Sequence, residues 1–566
     1  MRLAGALLAT AVMAIAGCSA ADNQVGTTSA GSSNTATSQP NSSTGAGSST
    51  AGGSQTGGST DAGGGDRNIK VQLYQLPDSF SPLILQTGGV ALVEELHWDS
   101  LVGLNDKNEV APRLADSWDV SSDAKTITFH LKKGLKWSDG TPFTAKDVVY
   151  TFNLFANPKT GSVYVGNFAG VVGAKDVADG KATSVSGFSA PDDNTFVVQL
   201  TEPNSAYVVT LAEPAMYIVP EHVVSKLPVD DLAKNPFWRE PTVGLGPYVF
   251  SKWVNDNEIE FNANPQYRSK LGADHVYAQL LTSDAALAQL QTGDLDYGQV
   301  SVADLDTAKG MKGVTVMSTP GTGVMALHTA IDNGKLADAR VRQAIMYGID
   351  RKGLVDQLLK GEGQVINTLV FGPDWAVPSD LNTYPYDPEK AKQLLADAGW
   401  DSSTEVDINV VPGQKDRDSM VTIVAAQLQQ IGMNVKVKQY QAADLTTAIN
   451  DRAFDLLPSQ YGLFNVDPVT MNARLMCDQG SPAGINITRY CNKDLDKLLI
   501  EGISTADQSK RAEIYAQAQK IVNTEVPIMV LYAPNIIAAT SDRLHGFKLA
   551  GVLTQAFWNA ADWSVS

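Results

Sequence analysis

Cysteine and histidine are both scarce, with three of the first and six of the second among 566 residues. The histidines stand at 97, 130, 222, 275, 328 and 545, and no two share a short metal-ligand spacing. The sequence has no HExxH, no Gly-x-Ser-x-Gly elbow, no phosphate loop and no GxGxxG after a strand. Gly321-Thr322-Gly323 stands alone. No metal, no cofactor and no enzymatic activity is therefore expected. Positive charge is also short: 43 Lys and Arg face 61 Asp and Glu, for a formal net charge of −18. An acidic surface repels phosphate backbones, which excludes nucleic acid as a natural partner. After residue 18 no stretch approaches 18 unbroken apolar residues, so no spanning helix is expected.

At the amino end, Arg2 precedes a nearly uninterrupted apolar run over 3–16, too short to span a bilayer but suited to an exported signal segment. It closes on Ile15-Ala16-Gly17-Cys18, which resembles the lipobox of bacterial lipoproteins. That resemblance implies that Cys18 becomes the acylated N-terminus and anchors the protein at the outer face of the cytoplasmic membrane. Several acyl chains, at about 0.8 kcal/mol per buried CH₂, hold firmly. Residues 19–66 are almost entirely Ser, Gly, Thr and Ala, without an apolar period to bury, and read as a disordered tether. As a flexible coil its reach is roughly 35–42 Å. The remaining cysteines, Cys477 and Cys491, are an even pair in an exported chain and flank a Gly- and Pro-containing loop. A disulfide between them is expected, with two buried thiols as the alternative; the bond would be worth about 3 kcal/mol in the chain-entropy picture.

The folded part is too long for one hydrophobic core and calls for two or three domains. It opens on an alternating strand at Asn68–Leu73, then a loop through Pro77 and Pro82, then helical spacing over 90–98. Its organising stretch is residues 137–155, WSDGTPFTAKDVVYTFNLF: an Asp139-Gly140 turn, a Thr144/Asp147 cap pair, and a helix burying Val148, Phe152 and Phe155. A strand at 195–200 precedes a helix at 204–211. Ser283 caps a helix that stops at Gly293, and Val341, Ile345 and Gly348 share a face from which Arg340 and Arg342 point away, as a solvated or salt-bridged helix start. Later, helices alternate with short apolar strands, the pattern of an α/β lobe. The final helix, 508–524, leads to a strand at 527–532.

The serial order of PRLADSW, WSDGTPFTAKDVVYTF, GLGPYVF, NPQY and DARVRQAI through AIMYGIDR resembles the oligopeptide/dipeptide/nickel family of solute-binding proteins that feed ABC importers, and covers residues 68–566. The family implies an α/β, two-lobed periplasmic-binding-protein-like fold of the class II type, with an extra subdomain inserted in the first lobe. On this chain lobe I spans 67–318 and 536–566 with the insertion at about 94–240, and lobe II spans 319–535. A monomer would capture a peptide or another small organic solute between the lobes and deliver it to membrane permease subunits. A same-fold regulator of envelope assembly and a secreted hydrolase are the alternatives. Carried over by motif, ligand contacts fall at Thr87, Gly88, Tyr164, Gln299, Tyr461 and Phe464. Peptide-binding members place an Asp, which pairs with the ligand's ammonium, four residues before the proline matching Pro468. Phe464 stands there in this chain, and a shifted register would hand that role to Asp467.

Overall fold

The computed structural model describes residues 67–84, 89–370, 374–462, 467–481, 484–552 and 555–566. Cys18, the 19–66 stretch, Thr87, Gly88 and Phe464 lie outside these residues.

A 12-stranded sheet runs through the molecule and is divided between two lobes. In the first, Asn68–Leu73 lies parallel to His275–Leu280 and to Tyr297–Gln299, and the sheet extends antiparallel through Glu258–Ala263 to Tyr248–Asn255. In the second, Leu456–Gly462 lies between Gly323–Thr329, its antiparallel neighbour, and Glu405–Val410, which runs parallel to both it and Asn434–Gln439. Helices cover both faces of the second half. Met325, Leu327, Ile408 and Leu456 pack into one core, and Val324, Ala326 and Val530 into the core beneath helix Gln508–Glu525. The half-sheet is mixed, with parallel and antiparallel pairs, and helices on its two faces bury it from both sides.

One strand serves both halves. The strand expected to end at 532 instead runs Ile528–Ser541, because partners continue along its whole length. Its first part pairs with Gly323–Thr329, and its second with Val314–Pro320 and Tyr297–Gln299. At roughly 3.3 Å per residue it is long enough to bridge two lobes. Three other expectations are corrected. Helix 204–211 is only Tyr207–Thr210. Thr282, not Ser283, caps Ser283–Thr292 by accepting the Ala285 amide at 3.3 Å. Arg342, expected to be solvated or salt-bridged, is instead 3% exposed and donates to the carbonyls of Leu336, Ala337, Glu525 and Val526. Its planar fork satisfies carbonyls that the end of helix Gln508–Glu525 leaves free.

The inserted part carries its own antiparallel sheet, in the order Ala115–Val120, Thr126–Leu131, Thr195–Gln199, Phe188–Asp192. Helix Ala145–Ala156 packs on it. The Thr144 hydroxyl accepts the Lys146 amide at 3.3 Å, and the Asp147 carboxylate accepts the Thr144 amide at 3.0 Å, so the cap pair forms. Val148, Phe152 and Phe155 are fully buried, and Phe152 meets the rings of Phe168, Phe188 and Phe196. A charge cluster ties this part to the first lobe. Asp99 receives Arg113 and Arg268, each at 2.7 Å, whereas Glu95 receives Arg113 only at 3.4 Å and the Phe557 amide at 3.1 Å. Burial pushes the Glu95 carboxyl up to about 8; against its own burial, the two guanidinium groups hold Asp99 below the usual range.

Candidate functional site between the lobes

The strand register turns the carboxyl ends of both half-sheets toward each other. Gly323 pairs with Gly462, so the strand ending at Gly462 finishes beside the 320–323 crossing, and the parallel Glu405–Val410 ends at the same edge. In the first lobe Gln299 pairs with Ala538 and the Val300 amide donates to Ile537 at 3.0 Å, so that strand also ends at the middle of Ile528–Ser541. In open α/β sheets, ligands bind outside the carboxyl ends of the strands. Here two such edges meet along Ile528–Ser541.

The crossing itself is held by charge. Lys360 and Gly361 both take positive φ, at 50° and 81°, making a tight turn that presents Glu362. Its carboxylate accepts the Ser318 hydroxyl at 2.5 Å, the Asn535 side-chain amide at 3.1 Å and the Lys309 ammonium at 3.5 Å. Lys360 in turn reaches Asp306 at 2.7 Å. Two oppositely oriented ion pairs thus join one turn of the second lobe to helix Leu305–Lys309 of the first.

Of the expected contact residues, Gln299 sits on the first lobe's carboxyl edge, where its amide donates to the Gln72 side chain at 2.8 Å. Gln72 also donates to the Leu281 carbonyl at 3.0 Å and so fixes three strand ends together, a bridging role that its place in an alternating strand did not announce. Tyr164 lies on the insertion, half-buried, with its ring edge-on to Phe155 at 5.9 Å. The Val163 amide donates to the Leu83 carbonyl at 3.0 Å, which sets this segment beside residues 81–84; Thr87 and Gly88 lie outside the described residues. Tyr461 belongs to the strand ending at Gly462 and pairs with Val324, on the second lobe's edge.

Asp467 is 5% exposed, and its two oxygens take both terminal nitrogens of Arg511, at 2.7 and 2.9 Å. A carboxylate committed to a bidentate guanidinium pair is not a free counter-ion for a ligand's ammonium. The structure joins Cys477 to Cys491, with an S–S separation of 2.10 Å. Among the described residues no group of three His, Cys, Asp or Glu could hold a metal ion, and no helix is long and apolar enough to cross a membrane.

The family model for bacterial extracellular solute-binding proteins, family 5 Middle, matches residues 109–482. A Brucella ovis relative, named for peptide binding in an ABC transporter, is 30% identical over 483 residues, covering 83% of this chain and 87% of its own. The dipeptide-binding protein of Escherichia coli K12 is 26% identical over 492 residues, covering 83% and 90%. Among solved structures, the ABC transporter substrate-binding protein CtaP of Listeria monocytogenes superposes with a TM-score of 0.78 at 23% identity, covering 88% of this chain and 99% of its own.

Proposed function

We propose that this chain, which belongs to family 5 of the bacterial extracellular solute-binding proteins, takes a peptide between its lobes and delivers it to a membrane permease. It is the substrate-binding component of an ABC importer, and its family is extracytoplasmic. The observation that carries the peptide reading is the pair of facing carboxyl edges in a chain whose relatives are named for peptide binding. A peptide bound by both edges prefers the closed arrangement, and its differential affinity for closed over open sets how far the lobes shift. No bond is made or broken in this cycle, so the protein acts as a carrier and not as an enzyme.

The contacts assigned to the peptide are Thr87, Gly88, Tyr164, Gln299, Tyr461 and Phe464. With Phe464 in place of an acid and Asp467 held by Arg511, the site grips backbone and side chains and leaves the amino terminus unpaired. Calorimetry with di- to pentapeptides tests this: saturable binding at one site supports it, and the absence of heat from every peptide removes it.

The second element of the proposal is the anchor. Acylation of Cys18 holds the carrier at the outer face of the cytoplasmic membrane, and the 19–66 stretch gives it reach to the permease. Replacing Cys18 with Ser should move the protein from the membrane to the soluble fraction with peptide binding intact. Retention of the variant on membranes would exclude the anchor.

A further inference from the structure

The inserted part of the first lobe is hydrogen-bonded to the second lobe at Ser205. The backbone amide and the hydroxyl of Ser205 both donate to the Ile503 carbonyl, at 2.9 and 3.1 Å, across 298 positions of sequence. Ile503 lies at the carboxyl end of helix Lys493–Ser504, where the last carbonyls lack partners within the helix. Each neighbouring carbonyl is satisfied from its own lobe: Ile500 by the Ser504 hydroxyl at 2.7 Å, Glu501 by the Thr505 hydroxyl at 2.8 Å, and Gly502 by Arg511 Nε at 3.1 Å. Ile503 receives its cap from the other lobe.

The Arg511 that holds Gly502 is the one clamped by Asp467. Asp467 accepts the Val469 amide at 3.0 Å ahead of helix Thr470–Leu475, and in sequence it follows the Tyr461–Phe464 contacts assigned to the peptide. One ion pair therefore fixes the helix end that faces Ser205, and its Asp467 lies five residues in sequence beyond the strand Leu456–Gly462.

We propose that Ser205 and the carbonyl end of helix Lys493–Ser504 form an interlobe latch, positioned by the Arg511–Asp467 pair, that favours the closed arrangement. The inference rests on the reading that the lobes open and close about the crossing strands. Opening about those strands separates the lobes, so the two Ser205 bonds, which join one lobe to the other, form on closing and break on opening. The Lys309–Glu362 and Lys360–Asp306 pairs join the lobes at the crossing itself. The two bonds at Ser205 are thus worth about a tenfold bias toward closed.

The test compares Ser205→Asp, Ser205→Thr and the parent as complete mature chains, using small-angle scattering with and without a di- to pentapeptide mixture. Asp places a carboxylate against a carbonyl at the negative end of a helix, whereas Thr keeps both donors. The expected result is a larger radius of gyration for the ligand-free Asp variant, about tenfold more peptide needed to contract it, and parental behaviour for Thr. An unchanged melting midpoint for the Asp variant separates an opened latch from a damaged fold. A Ser205→Asp protein with parental dimensions and, wherever the parent responds, a parental peptide response would overturn the latch. Peptides that contract neither protein would count against the ligand reading alone, since the ligand-free comparison still decides the latch.

Discussion

Asp467→Asn should lower the melting temperature by about 10 °C. The replaced carboxylate is 5% exposed and the guanidinium beside it 6%, and the two share a bidentate contact at 2.7 and 2.9 Å. Asn preserves the shape but leaves Arg511 buried without its counter-charge. Breaking a buried pair by removing one partner costs about 3–5 kcal/mol, and each kcal/mol moves the midpoint of a 150–250-residue unit by about 2–4 °C. Two rings near the guanidinium, Trp375 at 5.3 Å and Tyr515 at 5.4 Å, supply only a small part of the missing compensation. Exchanging both partners for apolar residues of similar size, Asp467→Leu with Arg511→Met, should recover much of the loss, since the uncompensated charge is then gone. Scanning calorimetry decides it. A single variant that melts with the parent would mean that the pair is exposed to water and that Asp467 is available to a ligand.

Gly246→Ala should be comparably damaging for a steric reason. Leu245 and Gly246 donate their amides to the His97 carbonyl at 3.1 and 2.9 Å, which draws the chain against the end of helix Gly89–His97. A Cβ at Gly246 would stand 2.1 Å from the Leu96 carbonyl oxygen and 2.7 Å from the His97 carbonyl carbon. Both are backbone atoms, so nothing flexible can yield. Overpacking a core typically costs about 1–3 kcal/mol and sometimes more, and a rigid clash of this depth belongs at or above the top of that range. Gly134→Ala is the contrast: with φ at +74° and nothing within 4 Å of the added atom, it should cost only about 1–2 kcal/mol. Soluble yield and denaturant midpoints should rank parent, Gly134→Ala and Gly246→Ala in that order; equal midpoints for the two variants would refute the packing argument.

Local chemistry was legible in the sequence and distant pairing was not. The Thr144/Asp147 cap and the buried face of Val148, Phe152 and Phe155 follow from spacing within one helix, and they form as read. The order of motifs located the family across nearly the whole folded chain. The length of Ile528–Ser541 escaped because its continuation past 532 depends on partners some 200 positions away, which no local alternation reports. Arg342 escaped for a related reason: its surroundings are the carbonyls that close helix Gln508–Glu525, and an arginine at a helix start reads as solvated until that helix end is placed. Gln299 and Tyr461 stand near the ends of strands in the two half-sheets, and Asp467 looks available in the sequence because its partner Arg511 lies 44 residues on. Ser205 carried no signal at all: the sequence reads it as part of a helix at 204–211, and its partner lies 298 positions away in the other lobe.

The central claim is that the cleft takes a peptide without an acidic anchor for its amino end. Calorimetry on matched free and N-acetylated peptides tests it most directly. An ammonium paired with a buried carboxylate typically loses about 2–5 kcal/mol when one partner is removed, or roughly two orders of magnitude or more in affinity. One-site binding that acetylation changes by no more than a factor of a few is the expected result. Tight binding of free peptides that acetylation abolishes would contradict it.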